Sequence, residues 1–239
     1  MSWAGYDVQR EFYVNDAGNQ IEKFGKSLEL RFMQLCSSDG KSIMDKSSSD
    51  EEICKAVYSD EDMFPMPEDA YRGVDIIEHA LNYLKENGTD SAEASMEDRK
   101  KVLVDYALPK NIAGLERDLK KYRIVYDNWF RESTLHSSGD VMKIVETLTE
   151  KGYTYEQEGA VWFKASQFGA DKDFVLVRSN GIPTYVVPDI AYHYNKLVTR
   201  GYDKAIDILG ADHHGYVPRL KAALTALGVD ADKLDLSLI

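Results

Sequence analysis

Apolar residues recur along this chain in two rhythms, and the change from one to the other divides it. Over residues 20–35, Ile21, Phe24, Leu28, Phe32 and Leu35 fall on one face at helical spacing, with Asn15 or Asp16 available as a cap. Val74, Ile77, Ala80, Leu81 and Leu84 form a second stripe, predicted to start near Glu68 or Gly73 and to end at Asn87-Gly88. A long helical region is predicted over 97–123, with Pro109 as a break or kink. Another is predicted over 138–151, closed by Gly152. Residues 36–63, carrying Ser37-Ser-Asp-Gly and Ser47-Ser-Ser-Asp-Glu-Glu, read as a loop or weakly ordered segment. Glu132-Ser-Thr-Leu reads as a turn.

The strand rhythm appears at both ends of the chain. Residues 6–14 are rich in aromatic and β-branched types and predict a strand. Residues 153–164 predict a hairpin, and Phe174-Val-Leu-Val leads into the tight-turn pair Asn180-Gly181, with Thr184-Tyr-Val-Val as the returning strand. A helix over 190–198 follows, with Pro188 near its first turn. Ala205-Ile-Asp-Ile-Leu predicts a short buried strand, 217–227 a helix ended by Gly228, and 234–239 a further strand. A parallel strand with nothing after it is a poor place for a natural chain to stop, so a piece of a longer protein is expected.

At 239 residues, 44% hydrophobic and 29% charged, the composition is that of a globular protein with one large core or two modest ones. No apolar run approaches the ~18 residues that span a bilayer, and Met1-Ser-Trp-Ala-Gly-Tyr lacks the regions of a secretory signal. Cys36 and Cys54 have no ligand spacing around them, which favours a reducing cytoplasm over a disulfide framework. The net charge of −12 sits wholly in residues 50–98, with 15 acidic against three basic residues; the remainder balances at 26 of each sign. Such a block repels phosphate, which excludes it as a nucleic-acid footprint and leaves a solvated helical face or a docking surface for a basic partner.

Two junctions offer chemistry. Asn180 to Tyr192 places Tyr185 and, four positions on, the carboxylate of Asp189 where a strand gives way to a helix. Gly210-Ala-Asp-His-His-Gly-Tyr216 then puts Asp212, His213 and His214 between two glycines directly after a strand. In an open α/β sheet such junctions build the ligand crevice. An acid at a helix start is equally a plain dipole partner. As a receptor, Asp189 would meet a guanidinium through two parallel hydrogen bonds, a geometry an ammonium does not reproduce. A metal site on Asp212, His213 and His214 is disfavoured, because adjacent side chains rarely converge on one ion. His79, His136 and His193 stand apart and read as structural. There is no Walker loop, G-x-G-x-x-G or G-x-S-x-G.

Four blocks carry a family likeness: residues 4–21 (Ala-Gly-Tyr-Asp-Val-Gln-Arg-Glu-Phe-Tyr-Val-Asn-Asp-Ala-Gly-Asn-Gln-Ile), Asp127-Asn-Trp-Phe-Arg-Glu-Ser133, 173–181 through Pro188-Asp-Ile-Ala-Tyr-His193, and Gly210-Ala-Asp-His-His-Gly-Tyr-Val-Pro-Arg219. Together they resemble bacterial-type arginyl-tRNA synthetase, a class I aminoacyl-tRNA synthetase. The resemblance implies an α/β fold: a partial Rossmann-type catalytic domain with a largely helical insertion and a small β-hairpin element. It divides the chain into 4–35 as the first part of the catalytic core, 36–125 as the connective insertion, and 126–239 as the remainder with the arginine and ATP crevice. It implies ATP-dependent activation of L-arginine, with magnesium, and transfer to its tRNA in a cytoplasmic enzyme. By position, Tyr185, Asp189 and His213 correspond to arginine-binding positions, His213 standing where other branches carry glutamine. Gly210, Asp212 and His214 would line the ATP side.

The resemblance also marks departures. The His-Ile-Gly-His-type and Lys-Met-Ser-Lys-Ser-type phosphate motifs are not in these 239 residues, so no catalytic residue is assigned within them and the isolated chain is expected to be inactive. An unpaired sheet edge would invite self-association. Competing readings are an arginine-binding non-catalytic module, a metal-assisted hydrolase using Asp189, Asp212, His213 and His214, and an interaction fragment with its acidic surface outward.

Overall fold

The computed structural model describes residues 1–210 and 215–239, with the backbone alone at Leu238. It divides into two compact units, Met1–Phe130 and Arg131–Ile239.

The first unit is helical around one strand pair. β1 (Glu11–Val14) leads into α1 (Gly18–Cys36), then α2 (Ser38–Lys46), α3 (Asp50–Ser59), α4 (Val74–Asn87), α5 (Met96–Lys121) and β2 (Asn128–Arg131). β1 pairs with β2. At their entrance Arg10 donates its backbone N–H and its guanidinium to Asp127, at 2.8 and 2.9 Å, and holds that carboxyl below its usual range. This contact joins two of the blocks singled out in the sequence. α1 packs against α4 and α5, and α3 against α4. Leu28, Phe32 and Leu35 of α1 meet Ile77, Leu81 and Leu103 in a fully buried cluster. Two ion pairs lash α1 to α5, Glu29 with Arg99 at 2.7 Å and Glu22 with Lys100 at 2.6 Å. The Glu29–Arg99 pair is the more enclosed of the two, which raises the cost of leaving either of its partners alone.

Several local expectations are corrected here. Residues 36–63 form two helices rather than a loop. The serines that looked like loop composition are caps: Ser37 accepts from Gly40 N–H and Ser49 from Glu52 N–H. Ile53, Cys54 and Val57 then bury one face of α3. Burial, with Glu78 and Asp50 nearby, pushes the Cys54 thiol up to about 11. α1 starts at Gly18 with Ala17 at the cap position, not Asn15 or Asp16. α5 runs through Pro109 without a break in its helical assignment. The first strand is four residues long rather than nine.

The second unit holds α6 (Glu132–Ser137), α7 (Asp140–Glu150), β3 (Thr154–Gln157), β4 (Ala160–Phe163), β5 (Phe174–Val177), α8 (Val186–Tyr194), β6 (Ala205–Leu209), α9 (Val217–Leu227) and β7 (Leu234–Leu238). The expected turn at Glu132 is thus a short helix. β3, β4 and β5 form an antiparallel meander. β6 and β7 are parallel, in register from Ala205↔Leu234 to Leu209↔Leu238, with α9 as their crossover. Such a βαβ unit is the building block of a doubly wound sheet. Val141, Ile144, Val145 and Leu148 give α7 a buried stripe against α8, and Leu220, Ala223, Leu224 and Leu227 do the same for α9. Gly228, at φ +87°, ends α9 by returning its N–H to Leu224 and Thr225 carbonyls. Among the described residues no helix is long and apolar enough to cross a membrane.

Two glycines separate tight approach from mere flexibility. A Cβ on Gly40 would lie 2.3 Å from the Gln34 carbonyl oxygen and 2.6 Å from that of Leu35. On Gly114, within α5, it would meet only the Arg117 guanidinium at 3.6 Å. Gly40→Ala is therefore expected to destabilise the first unit by roughly 1–3 kcal/mol, because backbone must move. Gly114→Ala is expected to stabilise it by about 0.5–1 kcal/mol. Urea unfolding followed by circular dichroism reads both signs.

Candidate functional site

The site grows from the start of α8. Val177 makes an isolated bridge with Pro183, and Thr184 anchors its N–H to the Leu176 carbonyl at 2.8 Å. The chain then turns into helix at Val186, where the sequence pattern predicted a returning strand. The reason is legible afterwards. Pro188 falls in the first turn, where its missing N–H costs nothing, and Val186, Val187, Ile190 and Ala191 bury as a helical face. The four-residue interval from Tyr185 to Asp189 is then one helical turn, which puts both on one side of the helix.

Tyr185 is 68% exposed, while Asp189 is half-buried. The Tyr216 hydroxyl donates to Asp189 Oδ2 at 2.5 Å, and the Tyr216 ring stacks on Tyr185 with centroids 6.0 Å apart and planes 29° from parallel. A carboxylate, a phenol bound to it and a second phenol ring thus share one place. Two aromatic faces and an acid suit a flat cation, which can stack and hydrogen-bond at once. Tyr216 was not singled out from sequence as a binding residue. Its signal was its place directly after Gly215, at the start of α9.

Gly210 lies at the exit of β6, opening the connection to Tyr216, and is exposed. That is the carboxyl end of a parallel strand, where such sheets bind ligands. Asp212, His213 and His214 lie outside the described residues. Among the described residues no group of three His, Cys, Asp or Glu side chains converges as a metal site.

Beneath α8 lies a buried charge network. Asp207 of β6 accepts from Lys196 Nζ at 2.6 Å and from His193 Nε2 at 2.5 Å; His193 Nδ1 meets the Asp189 carbonyl oxygen at 2.7 Å. Lys196 also sits 4.3 Å from the Tyr192 ring centroid. Burial by itself would raise the Asp207 carboxyl, but the hydrogen bonds and charges of His193 and Lys196 outweigh it and hold the group down at about 2, from 3.8. The expected buried strand is therefore corrected. Its inward face carries the acid, while Ile206 and Ile208 are 46% and 67% exposed. The alternation Ala-Ile-Asp-Ile-Leu held that signal: with period two, either the isoleucines or the acid must face inward.

A parallel βαβ unit with an acid and paired phenols beside it is an α/β arrangement of the doubly wound kind. Residues 1–238 match the family described as tRNA synthetases class I (R), catalytic domain, and the chain belongs to that family. It is 51% identical over 233 residues to the arginine–tRNA ligase of Acetivibrio thermocellus, covering 98% of this chain and 37% of that one. It is 49% identical over 239 residues to the arginine–tRNA ligase of Caldanaerobacter subterraneus subsp. tengcongensis, covering 100% of this chain and 38% of that one. The chain thus spans under two fifths of the length of these curated relatives. A crystal structure from Campylobacter jejuni, assigned as an arginyl-tRNA synthetase, superposes with a TM-score of 0.77 at 34% identity, over 98% of this chain and 46% of that one. Thermus thermophilus arginyl-tRNA synthetase shares the fold at a TM-score of 0.62 and 19% identity, over 99% of this chain and 42% of that one.

The Asp207 network sets an acid limb. Because its folded pKa is depressed, its contribution is present in full above about pH 4 and is lost as pH falls toward 2. The span corresponds to about 2 kcal/mol. Asp207→Asn is expected to remove that limb and to cost roughly 3–5 kcal/mol at neutral pH, by leaving the buried Lys196 ammonium and His193 ring without their carboxylate. Urea midpoints at pH 7 and pH 3 for both proteins measure it; an unchanged acid limb contradicts the assignment.

Proposed function

We propose that this chain carries the arginine-recognition part of an ATP-dependent arginine–tRNA ligase. The observation that carries the reading is the Asp189 carboxylate held by the Tyr216 hydroxyl beside the stacked Tyr185 ring. The guanidinium of L-arginine would pair with Asp189 and lie along the phenol faces. His213 would stand on the amino-acid side, and Gly210, Asp212 and His214 on the ATP side. Segments 4–35 and 126–239 would supply parts of the catalytic core, and 36–125 the connective insertion leaving α1. Its acidic stretch is a poor phosphate surface, so tRNA would be held mainly by regions beyond these residues.

In the reaction the arginine carboxylate attacks the α-phosphate of magnesium-bound ATP. Arginyl-adenylate forms and pyrophosphate leaves; a terminal ribose hydroxyl of the tRNA then takes the arginyl group and releases AMP. Asp189 forms and breaks no bond in either step. It fixes one end of the substrate so that the carboxylate at the other end reaches the phosphate. Interactions that act through binding in this way appear first in KM. Cytoplasm, where tRNA is charged, is the site of action this activity entails, and contact through an open sheet edge is the self-association it would permit.

Asp189→Ala, made in the full-length protein, is expected to raise the arginine KM at least 100-fold with the ATP KM nearly unchanged, since a charged hydrogen-bond partner is worth about 3 kcal/mol. Pyrophosphate exchange measures both constants. An unchanged arginine KM removes Asp189 from the role.

A further inference from the structure

We propose that His193 is a positioning residue for Asp189: a ring whose two nitrogens tie the backbone of the arginine-receiving residue to the buried acid of β6. The inference rests on the reading of Asp189 given above. His193 Nδ1 lies 2.7 Å from the Asp189 carbonyl oxygen, and Nε2 lies 2.5 Å from Asp207 Oδ2. Each ring nitrogen thus lies within hydrogen-bond distance of one of these oxygens. The ring is 5% exposed, so water does not fill in for a missing bond.

The contacts close a loop through the site. From Asp207 the chain runs along β6 to Gly210 and on to Tyr216, whose hydroxyl holds the Asp189 carboxylate. From the same Asp207, His193 reaches the Asp189 carbonyl. Asp189 is thus held at its backbone carbonyl by His193 and at its carboxylate by Tyr216. Lys196, three residues after His193, takes the other Asp207 oxygen and stops the helix from rolling about the first contact. Lys196 donates to Asp207, and His193 meets both the Asp207 carboxylate and the Asp189 carbonyl oxygen. A residue that only glued α8 to β6 would need no bond to Asp189. Outer contacts of this kind orient a binding group without meeting the ligand.

Two substitutions separate positioning from packing. His193→Gln carries an N–H near the Nε2 position, toward Asp207, and has none at Nδ1. His193→Asn places an N–H near Nδ1, toward the Asp189 carbonyl, and falls short of Asp207. In the full-length protein, His193→Gln is expected to raise the arginine KM roughly tenfold, with the ATP KM and kcat little changed. His193→Asn is expected to recover part of that loss. Asp189→Ala runs alongside. If it leaves the arginine KM unchanged, the reading of the site falls; if it raises KM while His193→Gln does not, the site stands and the role of His193 falls. Equal rises in both substrates' KM values, or Asn faring no better than Gln, also overturn the role.

Discussion

The second unit is organised around one costly placement, the carboxylate of Asp207 facing inward from β6. A buried charge is tolerated only when partners satisfy it, and both partners come from one neighbouring segment, His193 in α8 and Lys196 just after it. The demand therefore fixes how far α8 lies along β6 and which face it turns to the strand. The helix widens into a π-turn over Asn195–Thr199, the stretch that contains Lys196, with Arg200 N–H reaching the Asn195 carbonyl at 2.8 Å. Such widened turns accompany functional sites often enough to mark this one. With α8 fixed, its first turn delivers Asp189 to the crevice end of the βαβ unit.

That arrangement divides the work. Tyr185, Asp189 and Tyr216 bring aromatic faces and an acid together at the start of α8, while the charges beneath them are turned inward and paired with one another. Under the proposed function the outer group supplies selectivity and placement, and phosphate chemistry is supplied elsewhere. The first unit works by a different logic. Its core is apolar, from Leu28 and Phe32 to Leu81 and Leu103, and its ion pairs at Glu22 and Glu29 only fix how α1 lies on α5.

Much of this was legible in the residues, and what was not has physical causes. Long stripes with clear stops were read well: α4 ends at Gly88, α9 at Gly228, and the two-strand parallel unit sits where Ala205–Leu209 and 234–239 placed it. Residues 36–63 misled because Ser37 and Ser49 are polar for capping, which looks the same in composition as a loop. Thr184-Tyr-Val-Val looked like a strand because β-branched residues favour one. Pro188 and the burial pattern of α8 override that local preference. Tyr185 and Asp189 stand out as candidates in the sequence because a family likeness and a chemical logic meet there, and the structure sets them on one turn of α8. Tyr216 and the partners of Asp207 do not stand out, since they meet across 27 and 11–14 residues of chain and only tertiary packing joins them.

The central claim is that the crevice at Asp189 was shaped for a planar cation rather than for any ligand of arginine's size. Citrulline has nearly the same shape and no charge, so comparing its kcat/KM with that of arginine in pyrophosphate exchange isolates the feature at issue. A carboxylate left facing a neutral urea should discriminate against citrulline by about 10⁴-fold. Discrimination of tenfold or less would mean that Asp189 does not read the charge, and the account would fail at its base.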